Sequence, residues 1–132
     1  MTDIAIDIQD LRKTYGDLVA LEGLSLAIAP GEVFGLLGPD GAGKTTTMRL
    51  LAGILAPSDG SARVLGMDVF READRLKRRI GYMPQRFALY GDLTVAENLL
   101  FFANIYSVSR AERLKREAEL LAFSRLEPFR DR

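Results

Sequence analysis

The period of apolar and polar positions changes several times along the chain, and each change marks an element. Ile4, Ile6 and Ile8 alternate with Ala5 and Asp7, and Leu24, Leu26 and Ile28 repeat the pattern. Period two predicts two half-buried strands. The polar, turn-like segment Lys13-Thr14-Tyr15-Gly16-Asp17 lies between them, so they are expected to pair antiparallel, and Pro30-Gly31 then breaks the chain. Val33-Phe34-Gly35-Leu36-Leu37 is apolar on both faces and predicts a fully buried strand of a parallel sheet. Met48, Leu51, Ala52 and Leu55 sit at helical spacing up to Pro57. Ser58-Asp59-Gly60 reads as a turn, Ala62 to Leu65 as a short strand, Arg71 to Arg79 as a charged surface helix and Ile80 to Met83 as another strand. Thr94 with Glu97, and Ser109 with Glu112, have capping-box spacing and open two more helices. One carries Leu99, Phe102, Ala103 and Tyr106 on a face. The other carries Leu114, Ala118 and Leu121, with Glu112 four residues before Arg116. The order of elements indicates an α/β fold with an antiparallel β portion first and a helical portion last.

Composition narrows the chemistry. The 132 residues suit one domain, and 48 % of them are hydrophobic, enough for a real core. Lys plus Arg and Asp plus Glu each number 18, so the chain lacks the basic excess of a nucleic-acid binder, and no nucleic-acid partner is expected. The chain contains no cysteine, which excludes disulfides and thiolate metal sites and fits a reducing compartment. With no histidine, imidazole acid–base chemistry and ligation are excluded within these residues. Met1-Thr2-Asp3-Ile4 lacks the basic start and apolar stretch of a secretory signal. The longest apolar run, Val33 to Leu37, falls far short of the roughly 20 residues that span a bilayer. The chain is therefore expected to be soluble, with any membrane link made through a partner.

Gly38-Pro39-Asp40-Gly41-Ala42-Gly43-Lys44-Thr45 matches G-x-x-x-x-G-K-[ST] throughout. Successive inward-turned N–H groups make an anion nest, and glycines let the backbone approach closely. The loop is placed at a helix N-terminus, whose N–H groups and dipole favour anions. Lys44 adds a full positive charge toward β- and γ-phosphates, and the Thr45 hydroxyl suits Mg²⁺. A predicted buried strand precedes the loop and an apolar-faced helix follows it. The bare alternative is a glycine-rich turn with Lys44 as a surface charge.

The surrounding residues carry a more specific resemblance. Leu37 to Thr47 is similar to the Walker A segment of ABC-transporter nucleotide-binding domains. So, in order, are Lys13-Thr14-Tyr15-Gly16, Gly81-Tyr82-Met83-Pro84-Gln85 and Leu93-Thr94-Val95-Ala96-Glu97-Asn98-Leu99. The resemblance covers essentially the whole chain and implies a P-loop NTPase core of the ABC ATPase type, here truncated, with residues 1–132 as the N-terminal part of one ATPase domain. It implies that Gly38, Pro39, Asp40, Gly41, Ala42, Gly43, Lys44, Thr45 and Thr46 hold ATP. Asp40 departs from the commoner asparagine and adds a negative charge beside the nucleotide. Tyr15 matches the aromatic that stacks on adenine; on residues alone it also fits an aromatic packed at a turn. Gln85 matches the glutamine that touches Mg²⁺ or the attacking water and lies where the membrane subunit docks, against the plainer reading of an exposed loop amide. Phe87, Leu89 and Tyr90 fit a partner surface and the core of a helical subdomain equally. Nothing separates ATP from GTP by the base edge, so ATP rests on the resemblance.

The resemblance also says what is missing. The chain has no Leu-Ser-Gly-Gly-Gln signature, no apolar run ending in Asp-Glu and no switch histidine. The signature would begin soon after Arg132, so the chain is expected to be cut. Lys44 and Gln85 alone supply too little of the catalytic set for hydrolysis. In the family's sheet, later strands lie between the loop's strand and Ile80–Met83. Their absence leaves open edges, which predicts self-association or repacking. The intact protein is expected to pair with a membrane permease and a second ATPase domain. It would sit in the cytoplasm, against the inner or plasma membrane through its partner. Gly35 to Val69 looks like drug-export and ABC-2-type members. The alternatives are a soluble ABC-type ATPase without a membrane subunit and an inert fragment.

Overall fold

The computed structural model of the chain describes residues 4–86 and 88–132, which form two compact units, Met1–Met83 and Pro84–Arg132. Phe87 lies outside the described residues.

The first unit is a four-stranded antiparallel sheet with short helices. Strands β1 (Ile6–Tyr15) and β2 (Leu18–Ile28) form the expected hairpin, in register from Ile6 opposite Ile28 to Tyr15 opposite Leu18. β3 (Asp59–Val64) pairs antiparallel with the other edge of β1, and β4 (Met67–Asp68) with β3, giving the order β2-β1-β3-β4. β1 is irregular. At Asp10, φ is 47° and the registers with both neighbours shift, while Ser25 Oγ accepts from the Asp10 amide at 2.8 Å. Such a bulge bends a strand and sharpens its twist. Ile8, Leu11, Ala62, Val64 and Met67 of the sheet pack with Leu50, Val69 and Leu76 into the core.

Several expectations are corrected here. Val33 to Leu37 is not a strand: its residues are unpaired, and Val33 and Leu37 are fully exposed. Ile80 to Met83 is likewise not a strand, although Ile80 packs against the core and Met83 is exposed. A strand persists through its ladder hydrogen bonds, and among the described residues no neighbour supplies them to either segment. Asp59 and Gly60 belong to β3 instead of a turn, and Leu65 turns with Gly66 at positive φ into β4.

Helix α1 (Lys44–Leu51) ends before the expected Pro57. Gly53 has φ 66°, and the Ile54 N–H returns to Arg49 O at 2.9 Å, a left-handed cap that stops the helix. Its buried face runs through Thr47 and Leu50, whereas Met48 is exposed. The charged segment 71–79 contains only one short helix, α2 (Ala73–Lys77), and Leu76 anchors it in the core.

The second unit holds α3 (Val95–Ile105), α4 (Arg110–Ser124) and a 3-10 turn at Glu127–Phe129. Thr94 and Glu97 complete the capping box of α3, and the two backbone hydrogen bonds it involves match its expected start. On α4 the Ser109 side chain caps Glu112 N, while Glu112 turns to Arg116 at 2.5 Å, so the second box is half made. The face expected to be buried on α4 is corrected: Leu114 and Ala118 are exposed, and Glu117 is buried with Leu121. Arg113 and Arg130 hold the Glu117 carboxylate at 2.8 and 2.9 Å, which makes burial of that charge tolerable and ties the chain end to α4. Hydrogen bonding to Glu117, then its charge, raises Arg130 above its ordinary pKa.

Candidate functional site

The loop 38–43 leads into α1, and its shape follows from two glycines. Gly43 is the residue before the first turn of α1, at φ 85° and ψ 5°. An added Cβ there would lie 2.5 Å from the Ala20 carbonyl oxygen, so the loop backbone presses directly on β2. Gly41 also has positive φ, 81°. The Ala42 amide donates to Pro39 O at 3.3 Å and closes the turn. Thr47, almost wholly buried, donates from its hydroxyl to Gly43 O at 3.0 Å, and its amide donates to the same oxygen at 2.8 Å. Sequence reasoning missed Thr47 as an anchor; a third threonine in the run Thr45-Thr46-Thr47 is its only visible signal.

Lys44 folds back over the loop. Its Nζ donates to Gly38 O at 2.7 Å and to Pro39 O at 2.6 Å. No side chain caps the start of α1, and its first turn contains no acidic residue. A cation beside an uncapped helix N-terminus, reached by a backbone free of Cβ at the critical contact, is chemically matched to an anion. The exposed carboxylate of Asp40 is the exception, and among the described residues it forms no ion pair. Thr45 is exposed and Thr46 half-buried on the same turn. Among the described residues no group of three or more acidic or other ligating side chains could hold a metal. A divalent cation at this loop would have to bring most of its oxygens with its own ligand.

Tyr15 closes β1 with 48 % of its surface exposed, opposite Leu18. Two residues past Leu18 on the same strand is Ala20, the residue on which Gly43 rests, so Tyr15 and the loop are carried by the same hairpin. Lys13 Nζ stands 5.1 Å over the tyrosine ring, a contact that sequence reasoning did not anticipate. Gln85 belongs to the other unit, exposed in the segment before α3. The structure thus assembles Tyr15 and residues 38–46 in one unit and carries Gln85 in the second. Leu89 and Tyr90 are exposed; Tyr90 meets Phe101 edge-on at 4.8 Å, so its ring also packs within the helical unit.

A family model described as ABC transporter matches residues 21–132. The chain belongs to the ABC-transporter family. This ABC chain is 45 % identical over 131 residues to the Nod factor export ATP-binding protein I of Paraburkholderia xenovorans, covering 99 % of itself and 43 % of that relative. It is 42 % identical over 120 residues to the probable multidrug ABC transporter ATP-binding protein YbhF of Escherichia coli, covering 89 % of itself and 21 % of that protein. Among solved structures it resembles the ATP-binding cassette MJ0796, described as a dimer in a post-hydrolysis state bound to ADP and Pi. There the TM-score is 0.82 at 28 % identity, over 96 % of this chain and 60 % of that one. The ABC chain therefore spans less than half the length of these two relatives. Its fold is that of a truncated ABC ATPase core with an antiparallel β portion first and a helical portion last. None of its described helices is long and apolar enough to cross a membrane.

Proposed function

We propose that the ABC chain holds the phosphates of Mg-ATP on residues 38–46, as the N-terminal part of an ATPase domain that powers export across a membrane. One observation supports this most: Gly43, in left-handed conformation against Ala20, opens α1 with no capping side chain while Lys44 lies across the loop. In this reading Gly38, Pro39, Asp40, Gly41, Ala42 and Gly43 form the cradle. Lys44 moves from the Gly38 and Pro39 carbonyls to the β- and γ-phosphates. Such an exchange replaces two neutral acceptors with charged ones, which strengthens each hydrogen bond. Thr45 contributes its hydroxyl to the metal and Thr46 meets the phosphates beside it. Tyr15 stacks on the base, a contact that takes any nucleobase. Gln85 orients the attacking water or touches the metal without itself titrating. The Mg²⁺ that accompanies ATP neutralises charge building on the phosphates.

Export as the task is supported by the relatives named for Nod factor export and multidrug transport. A membrane permease and a second ATPase domain are the partners of this reading, with the protein on the cytoplasmic face. Residues 1–132 lack the signature, the acidic strand end and a histidine. Turnover by these residues alone is therefore expected to be negligible.

Calorimetry with Mg-ATP tests the reading. Saturable binding is expected, and Lys44→Ala should weaken it at least ten-fold, since charged hydrogen bonds contribute roughly 1.5–3 kcal/mol each. Equal affinity of the two proteins would remove Lys44, and with it the loop, from the site.

A further inference from the structure

We propose that Lys13 is a positioning residue that holds the Tyr15 ring as a platform for the nucleobase. The inference rests on the reading that Tyr15 stacks on the base. Lys13 Nζ lies 5.1 Å from the centroid of the Tyr15 ring and donates to Ala56 O at 2.8 Å. One cation thus covers one face of the ring and is pinned by a carbonyl on the segment between α1 and β3. Nearly half of the Tyr15 surface stays exposed, so the residue keeps area for a planar base beside the cation. An unpinned tyrosine at the end of a hairpin samples several rotamers, and stacking on it must first select one. A cation held over one face restricts the ring before the base arrives.

The backbone under Tyr15 is secured independently of Lys13. The Ser58 amide donates to Arg12 O at 2.9 Å, and the Thr14 amide and hydroxyl meet Ser58 Oγ at 3.0 and 3.2 Å. Removing the Lys13 charge therefore frees the ring while leaving β1 in place. Lys13→Met keeps the length of the stem and deletes the ammonium; Lys13→Arg restores a cation that can stack over the ring.

The experiment compares Mg-ATP with inorganic tripolyphosphate, which has phosphates and no base, as ligands of the full chain. Tyr15→Leu should weaken Mg-ATP about ten-fold or more and leave tripolyphosphate unchanged. Lys13→Met should weaken Mg-ATP about three- to ten-fold, again without moving tripolyphosphate, and Lys13→Arg should recover most of the loss. Unchanged Mg-ATP affinity in Lys13→Met would overturn the proposal, as would equal losses for both ligands. A Tyr15→Leu protein with undiminished preference for Mg-ATP would instead overturn the stacking reading. Failure of the wild-type chain to take either ligand would overturn the phosphate site itself.

Discussion

At the scale of single residues, the site depends on positions where one atom decides the outcome. Gly43 is the clearest. Gly43→Ala places a Cβ 2.5 Å from Ala20 O at a φ of 85°, and backbone in that region costs a non-glycine residue roughly 1–3 kcal/mol before the clash is counted. The variant is expected to lose nucleotide affinity and to unfold at lower urea; unchanged affinity would mean that the loop does not lean on β2. Asp68 offers a different test. The Arg71 and Phe70 amides donate to its carboxylate, and these bonds, that of Arg71 foremost, hold its pKa below the ordinary value. A depressed folded pKa favours the folded state above the unfolded value, and that contribution disappears as pH falls through the folded one. Asp68→Asn should therefore flatten the dependence of stability on pH below about pH 4, the ordinary aspartate range. Parallel pH profiles for the two proteins would exclude the role.

At the scale of elements, the second unit is organised by one buried amide. Asn98 Oδ1 accepts from Tyr90 N at 2.9 Å, and the two hydrogens of its Nδ2 are shared among Tyr90 O, Leu93 O and Thr94 O at 3.0 to 3.2 Å. It joins the first turn of α3 to the segment that follows Gln85. Asn98→Ala takes away the acceptor of the Tyr90 amide, while Tyr90 O keeps the Leu93 amide and Thr94 O keeps the backbone amide of residue 98, and the change should destabilise the unit by about 1–3 kcal/mol in urea unfolding. A change under about 0.5 kcal/mol would show that water replaces the amide at no cost. Thr94 and Glu97 announced this helix start because a cap is written in adjacent residues. The buried face of α4 was not legible in the same way. Leu114, Ala118 and Leu121 have the right period, but Glu117 is buried with its charge met by Arg113 on the same helix and by Arg130, thirteen residues on. Periodicity carries no record of such a partner.

At the scale of the whole chain, the hairpin turn was readable because its contact is local, Tyr15 opposite Leu18, and the loop because its motif is contiguous, whereas the rest of Gly43 on Ala20 was not. The two expected parallel strands were not realised because a strand is a property of two segments. Val33 to Leu37 has the composition of a buried strand and, among the described residues, no ladder to join. Val33, Phe34, Leu37 and Met83 are exposed, and apolar surface of this kind is what association would cover. Sedimentation should show concentration-dependent self-association that Val33→Lys reduces. A monomer at all concentrations would contradict this.

Hydrogen exchange followed by mass spectrometry, with and without Mg-ATP, reads whether residues 38–46 hold the phosphates. Ligand should slow amide exchange across residues 38–46 and at the Tyr15 end of β1, and leave α4 unaffected. Binding without slowed exchange in 38–46 would contradict the assignment and move the nucleotide elsewhere on the chain.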